Sequence, residues 1–296
     1  MAVPPPPNII SKEVRVIRII TDTLSGLSPQ WAAEHGIPLI PQVIYFGEES
    51  FLEIQEMSIE EFIRRLKSSS VLPRTAAPPP GLFIKAFEEL DAAHNTILCI
   101  HPTAELSGTV RSAQIAKAEA FPNADIRIID TRTIGAQLGV LVQMADSWVR
   151  EGLDADTIVR RLEELIPRLR TYFLVDTLEY LQRGGRIGGA AALVGQLLQI
   201  KPILTIRDGK VDVYARERTK KRGLERFREI ILEEMDQSFS PCLVIQHCDA
   251  RQEAEELVSF FRQRLGRQDI PVFDVVPAIA THAGPGTLGA SFFAKP

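Results

Sequence analysis

The stretch VRVIRIITDT, residues 14–23, decides the reading of the fold. Its first seven residues are dominated by β-branched side chains, which predicts a buried strand. The run stops at Thr21-Asp22-Thr23. After Leu24 to Leu27 comes Ser28-Pro29, a serine suited to cap a helix followed by a proline in its first turn. The same order returns twice. Thr96 to Ile100 reads as a strand, followed by a loop and by Ser107-Gly108-Thr109 at a helix start. Asp125 to Asp130 reads as a strand ending in an acid, followed by Thr131 and a helix up to Arg150. Strand, polar turn and helix in repetition predict an α/β fold with a doubly wound parallel sheet. Ligands of such sheets sit at the carboxyl ends of the strands, where Asp22, residues 101–109 and residues 130–133 fall.

Working outward, Ile37 to Phe46 reads as one strand, placed at an edge by Pro38 and Pro41. Ser58 and Glu61 form a capping box for a short helix to about Lys67. Pro73 to Pro80 reads as a loop without regular structure, and Gly81 to His94 as an amphipathic helix. A long helix is expected over Ala155 to Leu169. Beyond it the pattern changes: a strand at Tyr172 to Val175, then a helix ending at Arg183-Gly184-Gly185-Arg186. Strands at 202–207 and 210–215 flank Asp208-Gly209, a hairpin signature. Helices at 219–234 and 250–265 alternate with strands at 242–246 and 272–276. An antiparallel pair within this alternation predicts a mixed sheet with helices mainly on one face. The expected organisation is a flexible proline-rich tail at 1–12, an N-terminal α/β domain at 13–170 and a C-terminal α/β domain at 171–296.

The 296 residues are 45% hydrophobic and 24% charged, close to an average globular chain. A net charge of −4 argues against nucleic acid, whose phosphates call for an excess of Lys and Arg. Cys99, Cys242 and Cys248 make an odd count, which fits a reducing compartment. His247 and Cys248 are neighbours on a strand and point to opposite faces, so no metal site is expected. No apolar run approaches the roughly 20 residues needed to span a bilayer. The proline-rich start lacks the basic and apolar regions of a secretory signal. These features set the expectation of a cytoplasmic protein.

Three segments carry candidate chemistry. Leu106-Ser107-Gly108-Thr109 puts hydroxyls at a helix start, either as plain caps or as an anchor for a carboxylate or phosphate. Thr281-His282-Ala283-Gly284-Pro285-Gly286 reads as a turn, either a surface loop or a place where backbone and imidazole approach a ligand. Gly184-Gly185-Arg186-Ile187-Gly188-Gly189 holds more glycine than a helix C-cap requires, which leaves a phosphate nest or a docking turn open. The basic run from Arg216 to Arg228 is interleaved with Glu217 and Glu225 and reads as a solvated helix face.

Taken in order, these pieces resemble the DegV family of bacterial fatty-acid-binding proteins. The matching elements are IITDT at 19–23, PRTA at 73–76, LSGT at 106–109, IIDT at 128–131, DTLEYLQRGGRIG at 176–188, KPIL at 201–204 and HAGPG at 282–286. The resemblance implies a long-chain fatty acid held between two α/β domains, with its carboxylate on Thr75, Ser107 and His282. Gly108, Thr109, Gly284, Pro285 and Gly286 fall in the supporting loops. It implies a carrier with no catalytic residue, cofactor or metal, which can present the acid to a separate fatty-acid kinase. Arg186 is the residue the resemblance associates with docking that partner. Family members commonly have Thr-Ser-Gln-Pro where this chain has Thr75-Ala76-Ala77-Pro78, so one hydroxyl is absent from the carboxylate loop. Two other readings stand beside the carrier. One is a hydrolase or phosphoryl-transfer enzyme using Ser107 and His282. The other is a sugar- or nucleotide-binding regulator.

Overall fold

The computed structural model describes residues 15–69, 71–195 and 200–296. The tail expected at 1–12 lies outside the described residues. Strand β1 (Ile17–Asp22) leads through a 3-10 turn to helix α1 (Pro29–Glu34), which starts where Ser28 Oγ accepts the Trp31 N–H. Then follow β2 (Leu39–Ile40), β3 (Val43–Phe46), β4 (Glu49–Leu52), α2 (Ile59–Ser68) and β5 (Arg74–Ala76). Helix α3 (Pro80–Glu89), β6 (Thr96–His101), α4 (Thr109–Ala120), β7 (Ile126–Asp130), α5 (Ala136–Arg150) and α6 (Ala155–Leu165) complete the N-terminal part.

Its main sheet has the order β2-β1-β6-β7, parallel throughout. Alternate side chains of β1 and β6 explain why it is covered on both faces. Ile19, Leu98 and Ile100 pack with Leu138, Leu141 and Ile158 of α5 and α6. Ile20, Ile97 and Cys99 pack with Phe83 and Phe87 of α3 and with Ala113 of α4. This is the doubly wound parallel sheet that the repeating pattern predicts.

The rest of the chain gives β8 (Leu169–Leu174), α7 (Glu179–Arg183), β9 (Lys201–Arg207), β10 (Lys210–Glu217), α8 (Lys220–Glu234) and β11 (Val244–Cys248). Helix α9 (Arg251–Leu265), β12 (Val272–Asp274), α10 (Pro277–Ala283) and β13 (Thr287–Phe293) follow. They build a six-stranded mixed sheet, β10-β9-β8-β13-β11-β12, in which only β11 and β12 pair in parallel. Phe227 and Ile231 of α8 and Leu257 and Phe261 of α9 cover one face, packing on Tyr172, Ile203, Ile245 and Phe292. Asp208 and Gly209 both take positive φ, 50° and 80°, as a tight hairpin turn requires.

Several expectations are corrected. Residues 37–46 form two strands in different sheets: β2 edges the parallel sheet, and β3 is the middle strand of a small antiparallel sheet, β4-β3-β5. Pro41, with no N–H to donate, lies at the break. The supposed loop at 73–80 contains β5, which pairs with β3 so that Thr75 faces Ile44 in register. Its prolines flank the strand instead of interrupting it. The helix expected over 155–169 ends at Leu165, Pro167 lies in a 3-10 turn, and β8 begins at Leu169, so the expected boundary at 170 falls inside a strand. Strand β13, central in its sheet, was not foreseen. His282 lies in the last turn of α10 and not in the Gly-Pro turn after it.

Candidate ligand site

One cavity draws its walls from both the N-terminal and the C-terminal parts of the chain. Leu24 and Ile134 come from the N-terminal part, and Phe173, Ile206, Val211 and Ile279 from the C-terminal part. Thr75, Ser107, Arg186 and His282 supply polar atoms to the same cavity, with Gln42 and Gln246. It holds about 950 Å³ of empty space, its open mouth included.

The three residues singled out for a carboxylate reach the cavity by separate routes. Pairing of β5 with β3 presents Thr75, the turn into α4 presents Ser107, and α10 presents His282. Thr75 Oγ1 lies 2.9 Å from His282 Nε2. The other ring nitrogen, Nδ1, is buried without a partner. Burial, and secondarily the positive charge of Arg186, push His282 down to about 4, so its imidazole is neutral at pH 7. A buried acceptor without a partner is tolerated better than a buried N–H without one. The proton therefore sits on Nε2 and is donated to Thr75, whose own hydroxyl proton remains for a ligand. The imidazole fits because Gly184 is next to it: a Cβ there would overlap Nδ1.

Ser107 Oγ lies 2.8 Å from Thr109 Oγ1 and accepts the Thr109 N–H at 3.3 Å. Beneath it, Gln42 Nε2 donates to Thr109 Oγ1 and to Asp22 Oδ1. Thr23 Oγ1 accepts the Gln42 N–H and donates to Glu53, whose second oxygen accepts the Ala278 N–H at 2.6 Å. Glu53 thus ties α10, which carries His282, to the network below Ser107. Burial pushes its carboxyl up to about 7, opposed by the hydrogen bonds from Thr23 and Ala278.

Arg186 is half-buried. Its Nε donates to Leu106 O at 3.1 Å and its Nη1 to Gly184 O at 2.7 Å. It therefore bridges the residue before Ser107 to the glycine beside His282, and neither projects freely nor pairs with Asp176 or Glu179. Those acids meet Lys220 and Arg183. Thr75, Arg186 and His282 also line a second, outward pocket, together with Arg74 and Arg183.

Gly108 lines the cavity, and Thr109 is buried beneath Ser107. Gly284, Pro285 and Gly286 are not part of the wall; Gly284 packs on the Tyr180 ring and Gly286 on the Asp176 carboxylate. The glycines at 188 and 189 lie against Val211 and Asp212 of β10, so close backbone approach accounts for them. Gln42 and Gln246 were missed. Gln246 had a signal, a lone amide within the apolar stretch CLVIQHC, and it accepts the Ala136 N–H at 3.0 Å. Among the described residues no three His, Cys, Asp or Glu side chains converge as a metal site, and no helix is long and apolar enough to cross a membrane.

Residues 16–295 match the model of the DegV family, described there as uncharacterised. A DegV domain-containing protein of Halalkalibacterium halodurans is 33% identical, covering 94% of this chain and 98% of that one. Among solved structures, a Thermus thermophilus DegV family protein described as binding fatty acid is 29% identical with a TM-score of 0.80, covering 94% of this chain and 99% of that one. DegV of Bacillus subtilis, described as a fatty acid binding protein, is 28% identical with a TM-score of 0.84, covering 95% and 100%.

Proposed function

The chain belongs to the DegV family, and from that premise we propose that it binds one long-chain fatty acid as a carrier. The acyl chain occupies the apolar cavity between an N-terminal and a C-terminal domain, divided near β8. The carboxylate is held by Thr75, Ser107 and His282, the two hydroxyls donating to it and the imidazole acting by holding Thr75 as a donor. The observation that carries this reading is an apolar cavity whose hydroxyls and neutral imidazole are joined by hydrogen bonds and by the Arg186 bridge. Burying the ~14 methylenes of a ~16-carbon chain at roughly 0.8 kcal/mol each supplies roughly 11 kcal/mol before the costs of association. The solved DegV structures described as fatty-acid-binding support the same ligand class.

A hydrolase using Ser107 and His282 is the weaker reading. A serine nucleophile needs its base within hydrogen-bond reach and an acid to orient that base. Here Ser107 bonds to Thr109, His282 Nε2 to Thr75, and His282 Nδ1 to nothing. The apolar walls likewise disfavour a sugar or nucleotide.

Denaturing extraction and mass spectrometry of the purified protein should release a long-chain acid; no acid, and no uptake of added acid, would overturn the carrier reading. Ser107→Ala removes one hydrogen bond to a charged group, worth about 1.5–3 kcal/mol, so affinity should fall roughly 10- to 150-fold with the fold intact. Unchanged affinity would place the head group elsewhere.

The finer part of the proposal is presentation of the carboxylate to a fatty-acid kinase in the cytoplasm. The outward pocket supports it, since Arg74, Arg183 and Arg186 put positive charge where a phosphoryl group would approach. Arg186→Ala should lower kinase-dependent acyl-phosphate formation by more than it lowers acid affinity. Equal losses in both would leave Arg186 as a bridge alone.

A further inference from the structure

Beneath Ser107 runs a chain of hydrogen bonds whose directions follow from pairing each buried proton with an acceptor. It begins at Asp22, fully buried at the carboxyl end of β1. Asp22 Oδ1 accepts the main-chain N–H of Leu24 at 2.9 Å, and Oδ2 lies 2.7 Å from His101 Nδ1. The Gln42 side chain approaches Oδ1 at 3.2 Å and Thr109 Oγ1 at 3.1 Å through one and the same atom. Because Oδ1 is already an acceptor, the amide must turn its NH2 towards it and not its carbonyl. The second amide proton then goes to Thr109 Oγ1, and the proton of this buried hydroxyl, with no other acceptor in reach among the described residues, goes to Ser107 Oγ, 2.8 Å away. Ser107 Oγ also accepts the Thr109 N–H. A hydroxyl has two lone pairs and one proton. Both lone pairs of Ser107 are occupied, and only its proton is left for the cavity.

We propose that Asp22 and Gln42, acting through Thr109, hold Ser107 as a hydrogen-bond donor and so select an ionised, acceptor-only head group over the alcohol of the same chain. Asp22 acts on the ligand only through this relay, and Gln42, which also lines the cavity, is a positioning residue for Ser107. The inference rests on the fatty-acid reading of the cavity. It goes further by naming what sets head-group preference, which the three contact residues alone do not. Thr75 on the facing wall is polarised the same way by His282, so both hydroxyls offer protons. A carboxylate accepts from both at once, whereas an alcohol must also place a proton of its own, and Ser107 has no lone pair left to take it.

The test is the ratio of dissociation constants for hexadecanoic acid and hexadecanol, measured on the full chain stripped of bound lipid, with melting temperature recorded beside it. Gln42→Glu keeps the shape and reverses the relay. The new carboxyl shares a proton with Asp22 and accepts from Thr109, which then accepts the Ser107 proton and leaves a lone pair facing the ligand. Acid affinity should fall by about tenfold or more, the scale of a charged hydrogen bond, while alcohol affinity holds or improves. Gln42→Met cuts the relay without adding a carboxyl, so it covers the case in which Gln42→Glu fails to fold. There the acid-to-alcohol preference should narrow because the alcohol binds better. A folded variant with the wild-type ratio, or one that weakens both ligands equally, would overturn the relay and leave the carrier reading standing. A wild-type protein that takes up neither ligand would overturn both.

Discussion

Replacing Glu53 with Gln should raise stability relative to wild type by about 3 kcal/mol more at pH 8 than at pH 4. Replacing His282 with Gln should do the opposite. Glu53 is buried and its carboxyl is pushed from 4.5 up to about 7, so the folded state holds a proton that the unfolded chain gives up earlier. Its contribution is complete below pH 4.5 and is lost as pH rises through 7. His282 is pushed from 6.5 down to about 4, so the unfolded chain takes up a proton that the folded state refuses. Its contribution is complete above pH 6.5 and is lost as pH falls through 4. The two windows nearly coincide and the two slopes oppose one another. Wild-type stability therefore hides both, and each variant exposes the partner that remains. His247, also pushed down by burial, adds the same slope to all three proteins and drops out of the differences. Unfolding free energies from urea melts at several pH values between 3.5 and 8 provide the check. Parallel curves for wild type and both variants would show that neither group is perturbed as its burial implies.

Glu53 shows why part of the site was hidden in the sequence. It reaches the first turn of α10 across 225 positions, and nothing near residue 53 marks it as a helix anchor. What was legible was local. Ser28 and Ser58 cap the helices they precede, and Asp208-Gly209 turns the hairpin, because those bonds are made within a few residues. The parallel sheet was legible because its strands are apolar on both faces. Strand β13 was not: its sequence TLGASFF is rich in small residues and has no long apolar run. Gly289 there faces Phe173 and Gln246 of the two flanking strands, so the large side chains stand on the neighbours. Thr75 was read from the family resemblance inside a supposed loop. Its real support is a three-residue strand, too short and too framed by proline to show a period of two. Arg186, which the resemblance associates with partner docking, also satisfies two carbonyls, one of them 80 positions away, a bond that nothing near residue 186 marks.

The glycines around Arg186 should separate folding from binding. Gly188→Ala is expected to destabilise the chain by about 3–5 kcal/mol, and Gly184→Ala by less, about 1–3 kcal/mol, while weakening fatty-acid affinity at least tenfold. At Gly188 a Cβ would overlap the main-chain carbonyl of Val211 in β10, and the residue has φ of +49°. A strand backbone held by its ladder cannot step aside, and a left-handed conformation adds strain for any side chain. The turn must then come away from β10, opening the cluster in which Leu181, Ala190 and Leu193 pack on Val211. At Gly184 the group that would be struck is the His282 imidazole, with the Tyr180 carbonyl 3.0 Å away. A side chain can rotate where a strand cannot, so the fold survives better. The rotation, however, breaks the bond from Nε2 to Thr75 and frees both groups from the geometry the carboxylate needs. Melting temperature and affinity measured on both variants are the check. The expected pattern is a large thermal loss at 188, and at 184 a binding loss out of proportion to the thermal one. If Gly184→Ala kept wild-type affinity, His282 would have no part in holding the ligand.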